Sequence, residues 1–369
     1  MIDHRKYKQH NVQGRYITLE KLQAHWLGNL EKSLVQDVGN SVQGRALKSI
    51  TLGSGNKRVL MWSQMHGNES TTTKAVVDMI NFLLQDDPLV RVILGSCTLF
   101  IIPILNPDGA KAYTRDNAKQ MDLNRDAKLL TQPESKALRA VFERFKPDYC
   151  FNLHDQRTLF SAGKTKKPAT VSFLSPASNL EREVTPSREI AMKLIVGMEK
   201  RLRSMIPGQI GRYDDAFNPN CVGDTFQMLG VPTVLFEAGH YPGDYDRELT
   251  REFIFHALLE SLKTIALDTL QSYSTEDYFD IPENQKLFYD VLVKNAQMVN
   301  PTINPKHQIG IRFKEVLEGD AIQFTPEIVD IKDLSGYYGH ETFDCENPED
   351  LKSLAAKSQV FRLVKGEKK

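Results

Sequence analysis

Residues 59–77 read VLMWSQMHGNESTTTKAVV. The apolar run 59–62 predicts a buried strand, and the segment that follows Glu69 predicts a helix. His66 and Glu69 stand three residues apart in the turn between them, so their side chains can point at one ion. Neutral imidazole and carboxylate groups are both good ligands for Zn²⁺. An isolated pair with this spacing is more often part of a solvated helix face, so the metal interpretation depends on residues further along the chain.

Two further apolar runs end in polar side chains that suit such a site. The run 147–154 ends in His154, and the run 231–237 ends in Glu237. Open α/β sheets form their sites at the carboxyl ends of strands, so His154 is a third candidate ligand; the alternative is a hydrogen-bonded core histidine. A carboxylate that ends an apolar run requires a partner, a metal or a shifted pKa. Glu237 is therefore a candidate general base, with a structural ion pair as the alternative.

Guanidinium and amide groups follow a third apolar run. The strand predicted at 97–104 leads into the turn sequence NPDG at 106–109, a strong turn signal. Arg115 comes next, followed by the sequence DLNR at 122–125. Arginine binds carboxylates bidentately, and asparagine adds a neutral donor. These residues suit a substrate with a free carboxylate; the alternative for either arginine is a surface ion pair.

The ordered set of motifs resembles the zinc carboxypeptidase family (M14) over residues 40–265. The matching pieces are NSVQGR at 40–45, HGNE at 66–69, NPDG at 106–109, Arg115 with DLNR at 122–125, NLH at 152–154, and FE at 236–237. The resemblance implies that His66, Glu69 and His154 bind one Zn²⁺ ion. It also implies that Asp122 orients the first ligand histidine, a role with a clear physical basis.

The resemblance further implies a substrate site. Arg115 matches the arginine that polarises the scissile carbonyl, and Asn124 with Arg125 matches the pair that holds the terminal carboxylate. Glu237 matches the catalytic base. Tyr213 is a looser match to the tyrosine that covers the substrate, and an ordinary loop tyrosine is the alternative. The helix start at 224–226 resembles the one behind the specificity pocket, where Asp224 either faces a basic substrate side chain or caps a helix.

The implied function is that of a zinc metallocarboxypeptidase. It would remove a C-terminal residue from peptides by attack of zinc-bound water, with Glu237 as general base. The alternative is a zinc N-acyl-amino-acid amidohydrolase of the desuccinylase or aspartoacylase type, supported by HGNE and by Asp155 after the third ligand; NPDG with Arg115 argues against it. The expected substrate is thus a peptide or N-acyl amino acid with a free carboxylate. A non-catalytic peptide-binding protein on the same fold would have lost a ligand or the base, and all are present.

Alternating strands and helices predict an α/β fold, with a three-layer, mixed, mostly parallel sheet flanked by helices. We expect an N-terminal helical extension at 1–36, the catalytic domain at 37–271, and a small C-terminal α+β extension at 272–369. Apolar residues at every fourth position predict a helix over 19–35. In the C-terminal extension, a helix is predicted at 286–298 and paired strands at 309–316 and 321–330. Further strands are predicted at 46–53, 58–65, 148–154, 170–174 and 231–237, and further helices at 70–86, 133–145, 187–205 and 246–267.

The charge balance and the apolar runs of the sequence indicate which classes of partner to expect. Lys and Arg together number 47, as do Asp and Glu, and this balance argues against nucleic acid as the principal partner. No apolar run approaches the roughly 18 residues of a transmembrane helix, so no membrane association is expected. The segment 1–8 lacks the apolar core of a signal peptide, which predicts a cytoplasmic protein. A homo-oligomer is left open.

Overall fold

The computed structural model describes residues 2–367. Met1, Lys368 and Lys369, the outer ends of the predicted extensions, lie outside the described residues. The strands are β1 (Val35–Asn40), β2 (Ala46–Leu52), β3 (Lys57–Ser63), β4 (Cys97–Ile102), β5 (Tyr149–Asp155), β6 (Ser161–Ala162), β7 (Val171–Leu174), β8 (Ile210–Arg212), β9 (Thr233–Ala238), β10 (Asn284–Gln285), β11 (Phe288–Lys294), β12 (Gln308–Glu318), β13 (Ala321–Lys332) and β14 (Tyr338–Asp344). The α-helices are α1 (Leu19–His25), α2 (Thr71–Leu83), α3 (Pro88–Ser96), α4 (Pro107–Ala112), α5 (Pro133–Phe145), α6 (Pro186–Arg203), α7 (Val222–Met228), α8 (Glu248–Ala266), α9 (Glu276–Phe279), α10 (Pro348–Ala356) and α11 (Ser358–Lys365).

Contacts divide the chain into two compact units. The first unit comprises Met1–Gln156 and Ala169–Asn284, and the second comprises Arg157–Pro168 and Gln285–Lys369. The amino-terminal segment thus belongs to the first unit. The three domains expected from the sequence stay a prediction. No helix within residues 2–367 is long and apolar enough to cross a membrane.

An eight-stranded sheet forms the centre of the first unit. Its strand order is β1-β2-β4-β3-β5-β9-β7-β8. The pairs β3/β4, β3/β5, β5/β9 and β7/β8 are parallel, and the pairs β1/β2, β2/β4 and β7/β9 are antiparallel. The predicted mixed, mostly parallel sheet is confirmed. Because β3, β5 and β9 are neighbours and parallel, their carboxyl ends meet at one edge of the sheet.

Strand β3 shows how the two faces of the sheet pack against two helical layers. Val59 and Met61 pack in the apolar cluster that includes residues of α2, α6 and α8, whereas Leu60 and Trp62 pack with residues of α5 and α7. Successive side chains of a strand point to opposite faces, so a continuous apolar run places apolar side chains on both faces of β3. Each such side chain contributes roughly 1.5–3 kcal/mol when fully buried. This explains why the predicted three-layer arrangement forms.

The second unit contains a four-stranded sheet of order β13-β12-β11-β14. Strands β12 and β13 form a long antiparallel hairpin, which confirms the paired strands predicted at 309–316 and 321–330. Helices α10 and α11 complete its apolar core through Leu354, Val360 and Val364.

The single helix predicted over 19–35 is wrong. Helix α1 ends at His25, and two 3₁₀ turns, Leu27–Asn29 and Lys32–Leu34, lead into β1. Gly28 and Asn29 are poor helix formers. A Cβ atom on Gly28 would lie only 2.6 Å from the carbonyl oxygen of Gln23, so the tight turn requires glycine. The four-residue apolar spacing persists across the turn without a continuous helix.

The helix predicted at 286–298 is also wrong. Residues 288–294 form β11, and only Ala296–Met298 is helical, as a 3₁₀ turn. Strand β11 lies between β12 and β14 and is buried on both faces. Its sequence therefore lacks the apolar–polar alternation of a half-exposed strand. The aromatic and β-branched residues of FYDVLVK were the signal for a strand.

Candidate active site

The turn that carries HGNE connects β3 to α2. Gly67 packs directly against the backbone of Gly109, and a Cβ atom at this position would collide with it. Asn106 holds the other side, since its Nδ2 donates to the carbonyl oxygen of Met65 over 3.2 Å. The NPDG turn is thus a structural support for the HGNE turn.

Three predicted metal ligands converge at this edge of the sheet. The Nδ1 atom of His66 lies 2.9 Å from Oε1 of Glu69, and the Nδ1 atom of His154 lies 2.9 Å from Oε2 of the same carboxylate. The two Nδ1 atoms are 3.1 Å apart. Within residues 2–367 these side chains form the one group of three or more potential metal ligands whose ligand atoms all lie within 4.8 Å of one another.

The electrostatics of the triad fit a divalent cation. Burial lowers the pKa of His154, which keeps its imidazole neutral. Burial opposes ionisation of Glu69, but the adjacent His66 and His154 hold the pKa of this carboxyl well below its usual range. Two imidazole nitrogens and a carboxylate around one point are the donor set of a catalytic zinc site with an open position.

Asp122 lies on the far side of His66. Its Oδ1 accepts a hydrogen bond from His66 Nε2 over 3.0 Å, and Nδ1 of the same ring faces Glu69 and His154. Oδ1 also accepts the backbone N–H of Asn124 over 2.8 Å. Although burial opposes it, the bond to His66 and the charge of Arg115 hold the pKa of Asp122 well below its usual range. Asp122 therefore stays ionised and orients the histidine.

Arg115 bridges two of these acids. Its Nε and Nη2 atoms lie 3.1 and 3.0 Å from Oδ2 of Asp122, and its Nη1 atom lies 3.2 Å from Oε1 of Glu69. The side chain is still 46% exposed. The guanidinium is thus held on one edge and accessible on another.

Glu237 lies beside His154 in the sheet. The two residues are register partners on the parallel strands β5 and β9, so their side chains point to the same face. The Oε2 atom of Glu237 is buried without a hydrogen-bond partner among the described residues. Burial and the negative charges of Glu69 and Asp155 raise the pKa of Glu237 well above its usual range. Burial and neighbouring negative charge of this kind shift the pKa of a carboxyl toward neutral pH, as a general acid–base group requires.

Tyr213 follows β8 and is half-buried. Burial, together with the charges of Glu237 and Glu69, raises the pKa of its hydroxyl far above the usual range. The hydroxyl therefore stays protonated and within electrostatic reach of the predicted base and a predicted ligand.

Asn124 and Arg125 belong to the 3₁₀ turn Leu123–Arg125 and contact residues at the start of α7. Asn124 Oδ1 accepts the backbone N–H of Val222 over 2.9 Å, so its amide nitrogen remains a donor. Arg125 is exposed, and its Nη1 donates to the carbonyl oxygen of Asn124 over 2.7 Å and contacts Cys221 Sγ at 3.2 Å. The pair adjoins Asp122 in sequence but does not contact the three-ligand group.

Asp155 has a role that sequence reasoning missed. Its carboxylate accepts the backbone N–H groups of Thr71 and Thr72 over 2.8 and 3.2 Å, and so caps the first turn of α2. Its own N–H donates to Glu69 Oε2 over 3.2 Å. The sequence signal was an acid directly after the predicted ligand His154, but the N–H groups that this acid accepts lie more than eighty residues away. The feature that supported the amidohydrolase alternative therefore has a structural explanation.

Asp224 anchors the loop before α7. Its Oδ1 accepts the backbone N–H of Asn218 over 3.1 Å, which ties this loop to the first turn of α7. The N-cap position of α7 is occupied by Cys221 and not by Asp224, and the substrate-facing option stays a prediction. Burial raises the pKa of Asp224 to about 6.

We expect Asp224→Asn to stabilise the protein at pH 7–8 by about 1–3 kcal/mol, because one pKa unit corresponds to ~1.4 kcal/mol. The raised pKa means that the folded state binds more protons than the unfolded state between about pH 4 and 6. The stability of the folded protein therefore falls as the pH rises through this range. Above it, the full cost of ionising the buried Asp224 is present. Thermal unfolding of both proteins should differ at pH 7.5 and coincide near pH 4.

Asp215→Asn is the matched control with the opposite sign. Burial opposes ionisation of Asp215, but its bond to Arg188 lowers the pKa of this carboxyl. The variant should lose stability at pH 7.5 and match the parent in acid. A stabilised Asp215 variant, or an Asp224 variant without a pH-dependent gain, would contradict the assignment.

Asp122→Asn should weaken zinc binding by about 10–100-fold, the usual effect of removing a partner of a ligand histidine. Zinc affinity measured by competition with a chromogenic chelator tests this. Asp126→Asn is the control, because Asp126 accepts the backbone N–H groups of Thr131 and Gln132 and contacts no ligand. Equal zinc affinity of the Asp122 variant and the parent would exclude the orienting role.

Comparison with known proteins gives the class to which this fold and site belong. The family model for zinc carboxypeptidases matches residues 25–221, which is more than half of the chain. The chain belongs to the zinc carboxypeptidase family.

Individual relatives are distant. "Probable carboxypeptidase 2" of Trichophyton verrucosum (strain HKI 0517) is 26% identical over 156 residues, which is 38% of this chain and 29% of that protein. The chain thus spans less than a third of the length of the first curated relatives it matches. The metallo-carboxypeptidase of Burkholderia cenocepacia has a TM-score of 0.53 at 20% identity, covering 69% of this chain and 70% of that one. Carboxypeptidase A of Helicoverpa armigera has a TM-score of 0.51 at 17% identity, covering 70% and 74%. These structures share the fold.

Proposed function

We propose that the chain is a zinc-dependent carboxypeptidase that removes the C-terminal residue of peptides. The observation that carries this proposal is the convergence of His66, Glu69 and His154 on one point, with Glu237 beside His154 in the sheet. Family membership supports the reaction class. Because the family match ends at residue 221, the proposed role of Glu237 depends on its geometry.

His66, Glu69 and His154 would hold the metal. Zn²⁺ bound there would supply a Lewis acid and lower the pKa of water to about 7. Asp122 would keep His66 in the tautomer that directs Nδ1 at the ion.

Glu237 would remove a proton from the attacking water and return it to the leaving amine when the peptide C–N bond breaks. Its Oε2 atom has no competing donor among the described residues, which leaves it available for this transfer. A well-placed general base contributes about 10²–10⁴-fold.

Arg115 would stabilise the negative charge that develops on the carbonyl oxygen. Its bonds to Asp122 and Glu69 fix the guanidinium before substrate arrives, and a preorganised charge stabilises a transition state more than a mobile one. Tyr213, whose hydroxyl stays protonated and whose pKa is raised by the charge of Glu237, would cover the substrate.

Asn124 and Arg125 would bind the terminal carboxylate of the substrate. The exposed guanidinium offers charged hydrogen-bond donors, and the amide nitrogen offers a neutral one. Charge-assisted hydrogen bonds to a carboxylate are strong. Recognition of the chain end places the cut one residue from the terminus.

Mass spectrometry of the zinc-loaded protein, incubated with mixed free-carboxylate peptides and N-acyl amino acids, tests the proposal. Loss of single residues from carboxyl termini is expected, and the residues released report the side-chain preference. Cleavage of the N-acyl amino acids alone would overturn the proposal in favour of amidohydrolase activity. Absence of cleavage with zinc bound would indicate a binding protein.

A further inference from the structure

Gln64 lies two residues before His66 and has an unusual backbone. Its φ angle is +49°, in the left-handed region that costs L-residues roughly 1–2 kcal/mol. The residue is fully buried. Such strain persists only where the surroundings determine the conformation, and it concentrates at functional sites.

The Gln64 side chain joins three segments. Its Nε2 donates to the carbonyl oxygens of Ile17 and Gly67, each over 2.8 Å. Its Oε1 accepts the hydroxyl of Thr73 over 3.0 Å. One amide therefore connects the amino-terminal segment, the HGNE turn and the first turn of α2.

A second bond attaches the far end of the same turn. Ser70 Oγ donates to the carbonyl oxygen of Arg15 over 2.6 Å. Residues 12–18, which we call the strap, are thus bound to the sequence on both sides of HGNE. Helix α8 holds the strap from behind, because Arg251 Nη1 donates to the carbonyl oxygen of Val12 over 2.6 Å and the Gly14 N–H donates to Glu248 Oε1 over 3.1 Å.

We propose that Gln64 is a positioning residue for the metal ligands, through which the strap sets the geometry of the HGNE turn and hence its affinity for zinc. The strap, in which Val12, Arg15, Ile17 and Thr18 are buried, is a scaffold for His66 and Glu69. The left-handed backbone at Gln64 directs the amide at Ile17 and Gly67 together, and Ser70 secures the opposite end. This inference rests on the proposed zinc site.

Gln64→Met tests the proposal, because methionine keeps the length of the side chain and removes all three hydrogen bonds. We expect its zinc affinity, measured by chelator competition, to fall about 10–100-fold, as for partners that orient metal ligands. Asn81→Ala is the matched control. Asn81 Nδ2 also donates to an amino-terminal carbonyl, that of Tyr7, over 2.9 Å, and its Oδ1 accepts Trp26 Nε1 over 2.8 Å, but it contacts no part of the HGNE turn. This control should lower the melting temperature of the metal-free protein and leave its zinc affinity unchanged.

A lower melting temperature with parental zinc affinity in Gln64→Met would overturn the proposal, since the bonds would then serve stability alone. If the methionine variant does not fold, zinc affinity and stability are measured for Gln64→Gly and Ser70→Ala instead. The glycine relieves the left-handed strain, so weaker zinc binding without lost stability supports positioning, whereas parental affinity in both variants overturns it. Failure of the parent protein to bind zinc would instead refute the proposed function.

Discussion

Glu237→Gln is expected to lower kcat for peptide hydrolysis by about 10³-fold, within the range of a general base, while zinc content stays at the parental level. Glutamine has the shape of glutamic acid but accepts no proton in this pH range. The fold should survive, because burial and the charges of Glu69 and Asp155 already disfavour the ionised form of Glu237. Steady-state kinetics with a free-carboxylate peptide, together with metal analysis of the same sample, measure both quantities.

Glu69→Gln is the informative control for this experiment. Glu69 contacts both ligand histidines, so its loss should remove zinc and activity together. Loss of turnover with zinc retained would separate Glu237 from the ligands. Near-normal turnover in a zinc-replete Glu237 variant would remove Glu237 as the base.

The sequence predicted the parts of the site that follow local patterns. The ends of β3, β5 and β9 were recognisable as apolar runs, and each delivers a polar side chain to one edge of the sheet. Parallel neighbours must bring such ends together, so the convergence of His66 and His154 followed from the fold class. The register of His154 with Glu237 is a detail of pairing that no local pattern specifies.

The missed features depend on contacts between distant residues. Asp155 caps a helix that begins 84 residues earlier, and Gln64 binds a carbonyl group 47 residues away. Neither partner has a distinctive sequence, because one is a set of backbone N–H groups and the other a backbone carbonyl. The wrong helix prediction at 286–298 has a related cause. Strand β11 is buried on both faces, so its sequence lacks the apolar–polar alternation by which a strand is recognised.

The two kinds of residue differ in what they contribute. The recognised residues supply donors and charges, and their identities are dictated by chemistry. Asp155 and Gln64 supply geometry, since they hold the turn that carries two of the three ligands. A family resemblance identifies the first kind, whereas the second is visible only in the folded chain.

Arg125→Ala is expected to lower kcat/KM for free-carboxylate peptides by about 10²-fold. A hydrogen bond to a charged group contributes about 1.5–3 kcal/mol, and an exposed guanidinium offers two of them to a carboxylate. The guanidinium is fixed by the Asn124 carbonyl and by Cys221, and it contacts no metal ligand. Zinc affinity should therefore be unchanged, and the loss should be much smaller for peptides with an amidated terminus.

Arg58→Ala provides the matched control, because the Arg58 side chain is 42% exposed and lies at the amino end of β3, next to Asp148. Its removal should change kcat/KM for neither substrate. The comparison of the two substrates isolates the terminal carboxylate, because all other contacts of the peptide are shared. An equal loss on free and amidated peptides would assign Arg125 to the shape of the loop before α7, and recognition of the chain end would then fall to Asn124 alone.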